Sequence, residues 1–242
     1  MKKLILIIAS IFLVTPQLCW GQGQIKRPTQ SHQKTATAKS IVSDPDGYIG
    51  GHGFIDLGLP SGKKWATNNL GASKAYESGN YFFWGESDNI KFGTRTQELI
   101  ELKIIDKRGR IFPERDKVIK EWGKEWQTPT KEEFEELLQF CKWERKNING
   151  IRGYLVTGKN NKSIFFPFAG WISGSEPGKQ VNDKNDEGYY LTQTYNIEGT
   201  LQDSFDTYYA LCISCWQGSY PNVGKLQRAT TGISIRPILK SN

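Results

Sequence analysis

The sequence predicts an α+β fold in which one main helix, about residues 130–142, buries its apolar stripe against a sheet. Three observations predict it. First, the helix start is written out: Thr130 is a good N-cap, because its hydroxyl accepts an orphan backbone N–H, and Glu133 three residues on completes a capping box. Pro129 precedes the cap, and Glu132, Glu133, Glu135 and Glu136 sit at the positive end of the helix dipole. Second, Phe134, Leu137, Leu138 and Cys141 recur at helical spacing and make one apolar stripe. Third, much of the remaining chain reads as short strands, and a single helix among strands must cover a sheet.

Taken from the N-terminus, residues 1–21 read as a secretory signal peptide. Lys2 and Lys3 form the basic start, and Leu4 to Val14 is an apolar run too short to span a membrane. Gly21 is a suitable small residue before the cleavage point. Cys19 raises the question of a lipid anchor, although Pro16, Gln17 and Leu18 lack the small residue expected before a lipidated cysteine. The expected location is secreted or at the cell surface or envelope after cleavage, with membrane contact only through such an anchor. Residues 22–47, rich in Gln, Lys, Thr and Ser, have almost no apolar periodicity and read as a flexible linker containing His32.

The domain then runs over 48–242. It opens at Tyr48-Ile-Gly-Gly-His-Gly. A strand from Phe54 ends in a turn marked by Pro60 and Gly62. Lys64 to Thr67 is a second strand, and Asn80 to Gly85 a third. Residues 87–121 are charged and irregular, with a short helix after Pro113, and read as a long surface insertion. After the main helix, Gly153–Thr157 and Ser163–Phe168 flank the turn residues Gly158-Lys-Asn-Asn and predict a hairpin. Residues 170–187 read as a polar loop. Strands resume at Tyr189–Thr192 and Tyr208–Ser214. The chain closes on a strand from Gly232, where Ile233 and Ile235 share a face.

Composition narrows the function classes. The 242 residues suit one sizeable domain, and the net charge of +7 is partly carried by Lys2, Lys3, Lys26, Arg27, Lys34 and Lys39, ahead of the domain. No basic stripe interleaved with aromatics stands out, so nucleic acid is not an expected partner. The 12% of aromatic residues suits a β-rich core and also surfaces that stack on sugars or anchor proteins.

A family resemblance is carried by Asp56-Leu-Gly-Leu-Pro-Ser-Gly, Trp65-Ala, Gly79-x-Tyr-Phe-x-Trp-Gly-Glu86 and Trp126-x-x-Pro-Thr-x-x-Glu-Phe. It continues through Gly153-Tyr-x-Val-Thr-Gly, Ile164-Phe-x-Pro-x-Ala-Gly170 and Ser234-x-Arg-Pro237. In this order, from about residue 53 to the C-terminus, the set resembles the Fibrobacter succinogenes major paralogous domain, with 87–121 and 172–187 poorly matched. The resemblance implies a C-type lectin-like fold, distantly similar to the formylglycine-generating enzyme group: a twisted antiparallel sheet, one main helix and long recognition loops. It implies an exported or cell-surface setting and supplies no defined activity.

Side-chain chemistry points toward binding and away from catalysis. With only His32 and His52, and no Gly-x-Ser-x-Gly elbow, a Ser or Cys hydrolase lacks its parts. Cys212-x-x-Cys215 has no second ligand pair at zinc spacing. In an extended strand the two thiols point to opposite faces, so they pair only if the strand ends between them. The formylglycine-generating group carries its cysteines at a wider spacing in an Arg-rich context absent here; an oxidase of that kind using Cys212 and Cys215 is the alternative reading, beside a structural envelope role. Glu176, Asn182, Asp183 and Asp186 offer some of the oxygens of a calcium site, against the plainer reading of a solvated polar loop. No cofactor is otherwise expected. The recognition surface is expected on the loops 170–187 and 216–231, with Trp171, Glu176, Asn182, Asp183, Trp216, Tyr220 and Arg228 as candidate ligand-binding residues and Tyr195 nearby. The rings serve as stacking anchors and Arg228 as a planar donor fork. The expected partner is a glycan or a surface protein, met by a non-catalytic binding or adhesion module.

Overall fold

Short alternating runs broken by glycine turns fold as strands, and the strands dominate. In the computed structural model, which describes residues 41–85, 96–173, 180–197, 207–227 and 231–240, they begin with β1 (Gly47–Ile49), β2 (His52–Asp56), β3 (Lys64–Ala66) and β4 (Phe82–Phe83). Two six-residue helices follow, α1 (Thr96–Glu101) and α2 (Lys117–Trp122), then β5 (Trp126–Gln127) and α3 (Lys131–Phe140). The rest is β6 (Lys142–Ile148), β7 (Ile151–Thr157), β8 (Ser163–Pro167), β9 (Trp171–Ser173), β10 (Val181–Asn182), β11 (Glu187–Tyr195), β12 (Thr207–Ser214), β13 (Asn222–Gln227), β14 (Thr231–Ile233) and β15 (Ile238–Leu239).

These strands form four sheets, ordered β1-β2-β3-β15-β5, β10-β9-β14-β4, β11-β12-β13 and β6-β7-β8. The expectation of an α+β, C-type lectin-like fold with one main helix is corrected: 42% of the structure is strand and 15% helical, spread over several antiparallel sheets and three short helices. The physical reason lies in what the helix covers. Helix α3 has the capping box, with Thr130 Oγ1 accepting from Glu133 N at 3.2 Å and Glu133 Oε2 accepting from Thr130 N at 2.7 Å. Yet it has ten residues, under three turns, and wholly buries only Phe134 and Leu137. One such stripe plugs a gap between sheets and does not make a layer.

Three other segments differ from the sequence reading. The region 87–121 is not a surface insertion in its described part: Leu99, Ile104, Ile105 and Val118 are at most 1% exposed and pack with Trp84, Trp126 and Tyr208. Their apolar spacing is masked by the lysines, arginines and acids between them. The main helix, expected to about residue 142, ends at Phe140, and Lys142 already opens β6, a largely exposed edge strand rich in Lys, Arg and Glu, the composition that keeps an edge from pairing with other chains. The predicted loop 216–231 contains β13, which pairs with β12 from Asn222 to Gln227.

What ties sheets together is Arg236, wholly buried between β14 and β15. Its guanidinium donates to Ala66 O (3.1 Å), Thr67 O (2.9 Å), Asn69 Oδ1 (2.8 Å) and Phe165 O (2.7 Å) and lies 4.8 Å over the Phe166 ring. One side chain thereby satisfies the carbonyls of β3, of the loop after it, and of β8 in a different sheet.

Candidate functional site

The predicted anchors gather around one tight turn. Gly170, with φ of 73°, precedes β9; any Cβ there would lie 2.2 Å from Asn182 O, so only glycine lets β9 and β10 approach this closely. Trp171 then pairs in register with Asn182. Asp183 follows in the left-handed region, φ 51°, and its carbonyl accepts from Asp186 N (3.0 Å) and Glu187 N (2.8 Å), closing the turn.

The side chains of this turn hold two indoles. Asp183 Oδ2 accepts from Trp171 Nε1 at 2.8 Å, and Glu187 Oε1 accepts from Trp216 Nε1 at 3.0 Å. Glu187 Oε2 also accepts from the Tyr189 hydroxyl, and burial together with that carboxylate pushes the tyrosine's pKa up, so it remains a donor. The connection carrying Trp216 is fixed from the other side by Arg145, whose Nη2 donates to Trp216 O and Ser219 O, both at 2.7 Å. Arg152 forms an ion pair with Asp186. Trp216 is left 57% exposed and Tyr220 81% exposed on this braced turn.

Trp171, Asn182, Asp183 and Trp216 thus come together, with Tyr220 on the same connection as Trp216. Glu176 and Arg228 lie outside the described residues, as do Cys19 and the leader. Tyr195 is not an anchor: it is 3% exposed and packs 5.3 Å from Trp84, because the inward face of β11 carries it into the core. Trp171 is half-buried and rests partly on the same core. Residues missed from sequence are Arg145, Glu187 and Tyr189. No local pattern marks Arg145 or Glu187, since each acts on the connection that carries Trp216, and Tyr189 is tied in only through Glu187, two residues before it in the same strand. Among the described residues no group of three or more His, Cys, Asp or Glu is arranged to hold a metal ion.

Cys212 and Cys215 are both unbridged, as is Cys141. Strand β12 ends at Ser214, so Cys215 leaves the strand and its thiol donates toward Asp186 Oδ1 at 3.5 Å. Cys212 faces β13, and burial, with Glu187 nearby, pushes its thiol up to about 11 against a partial offset from the Gly224 amide. The thiolate is the reactive form, so native Cys212 is expected to react slowly with iodoacetamide at pH 8. Its rate should climb about tenfold per pH unit toward pH 11, whereas the unfolded chain reacts readily at pH 8. Peptide-resolved mass spectrometry of the alkylation time course measures this; fast native labelling of Cys212 at pH 7 would contradict it.

Compared with family models, curated proteins and solved structures, the chain finds no match in any of the three.

Proposed function

We propose that this chain is an exported or cell-surface, non-catalytic binding or adhesion module that recognises a glycan or protein ligand through the surface around Trp171, Asp183, Glu187, Trp216 and Tyr220. One observation carries the reading: two indole N–H groups are tethered to carboxylates of a single turn, while Trp216 and Tyr220 stand in solvent on a connection braced by Arg145. Large rings kept in water and held in one orientation lose little freedom when a partner covers them, and Trp, Tyr and Arg dominate binding energies at such surfaces. Each carboxylate oxygen can accept more than one hydrogen bond, which lets Asp183 and Glu187 also accept from sugar hydroxyls or backbone amides.

An array of glycans and surface proteins probed with the mature chain identifies the ligand. Trp216→Ala and Tyr220→Ala are then expected to weaken binding by about 1–3 kcal/mol each with little change in Tm. A large fall in Tm without a selective loss of affinity would assign both rings to the core and defeat the proposal.

A further inference from the structure

A second aromatic site lies at the start of the domain and includes no residue of the turn 183–187. Strands β1 and β2 are joined by Gly50 and Gly51, at φ of 60° and 84°. Two successive positive φ values make the tight hairpin turn that glycines favour, and the register Ile49↔His52 follows. The hairpin tip reaches the end of α2, where a Cβ on Gly50 would meet Trp122 O at 3.3 Å. That contact places His52 on Trp122, ring centroids 3.8 Å apart and planes 7° from parallel.

Buried Trp126 props this stack from one side. It stands near-perpendicular to both rings, 5.2 Å from Trp122 and 6.3 Å from His52. With the 3.8 Å stacking distance, these separations form a nearly right-angled triangle at Trp122. Trp126 therefore abuts ring edges and covers neither outer face. Its own N–H is spent on Ile49 O at 3.1 Å, which locks the hairpin to it.

The stack opens on a cleft of about 540 Å³, lined also by Tyr48, Asn68, Ser73 and Lys74, inside the usual range of roughly 300–1,000 Å³ for small-ligand sites. Tyr48 is 67% exposed. Asn68 is oriented by its own amide, which donates to Ser73 O at 3.1 Å, so its carbonyl oxygen has a set direction. Charge is nearly balanced, with Asp44 and Lys74 in the lining. A neighbouring groove beside Ile49 differs sharply, being lined by Lys63, Lys64, Lys124 and Lys240 against Glu125.

We propose that the cleft between the β1–β2 hairpin and Trp122 is a saccharide-binding site for uncharged sugars, with Trp122, His52 and Tyr48 stacking on ring C–H faces and Asn68 and Ser73 meeting hydroxyls. Flat apolar faces beside amides and hydroxyls match a pyranose, which has an apolar face and a polar rim, whereas the balanced charge offers no attraction to a polyanion. This site shares no residue with the surface proposed above and stands or falls separately from it.

The test is titration calorimetry of the full chain with cellohexaose, mannohexaose, xylohexaose and chitohexaose, with an oligogalacturonate as the acidic comparison. At least one uncharged hexasaccharide is expected to bind. Tyr48→Ala, which removes an exposed ring and should leave Tm unchanged, and Trp122→Ala are each expected to weaken it about tenfold or more. Bound hexasaccharide should also slow carbethoxylation of His52 relative to His32, the chain's other histidine. Absence of binding by all four uncharged sugars, or binding by the acidic oligomer alone, overturns the proposal. So does loss of binding in Trp216→Ala with full retention in Tyr48→Ala.

Discussion

Replacing Arg236 by alanine is expected to remove a large part of the stability of this domain, at least about 4 kcal/mol against the 5–15 typical of a folded protein. The guanidinium serves Ala66 O, Thr67 O, Phe165 O and Asn69 Oδ1, and among the described residues no carboxylate is its partner. Each acceptor left buried without a donor costs about 1–3 kcal/mol. A buried ion pair can often be exchanged for apolar residues without loss, but only when both partners go; three of these partners are backbone and cannot be removed. Burial pushes the Arg236 pKa down to about 10, so the group is still charged at neutral pH. Arg236→Lys should fail nearly as badly, because an ammonium has three donors and lacks the planar fork that reaches four oxygens in different directions. Arg236→Met, which fills the volume, separates the effects. Urea unfolding of the three variants decides the point. A midpoint near wild type for Arg236→Met would mean the hydrogen bonds contribute little.

The second large effect is expected at Phe134. Its ring is fully buried, 5.1 Å from Trp65 and 6.3 Å from Phe166. Phe134→Ala should cost about 3–5 kcal/mol through lost contacts and the cavity left behind. For a domain of this size that lowers Tm by roughly 6–20 °C. Thr130→Ala, which takes only the cap from the same helix, should cost about 1 kcal/mol. The ratio between the two is the informative quantity. Equal small effects would mean that α3 is not docked between the sheets.

Local signals were legible in the sequence wherever neighbours in the chain decide the structure. The capping box at Thr130 and Glu133 sets the start of α3, and the turn residues Gly158 to Asn161 set the hairpin of β7 and β8. Trp216 and Tyr220 were readable as an exposed turn for the same reason, since glycine and polar residues surround them in the chain. Tertiary structure alone decided the rest. Four antiparallel sheets, and not one helix against one sheet, follow from pairings such as β3 with β15 that span most of the domain. The charged strand β6 carries no apolar alternation because neither of its faces is buried. Leu99, Ile104 and Val118 look like residues of a polar insertion until Trp84 and Trp126 close over them. Nothing next to Arg236 in the chain marks it for burial, yet four acceptors from β3, the loop after it and β8 surround it. His52 and Trp122 are 70 residues apart in the numbering and meet only because the hairpin tip lands on the end of α2. In each case the deciding free energy is a contact between distant segments, and such contacts leave no periodicity in the chain that makes them.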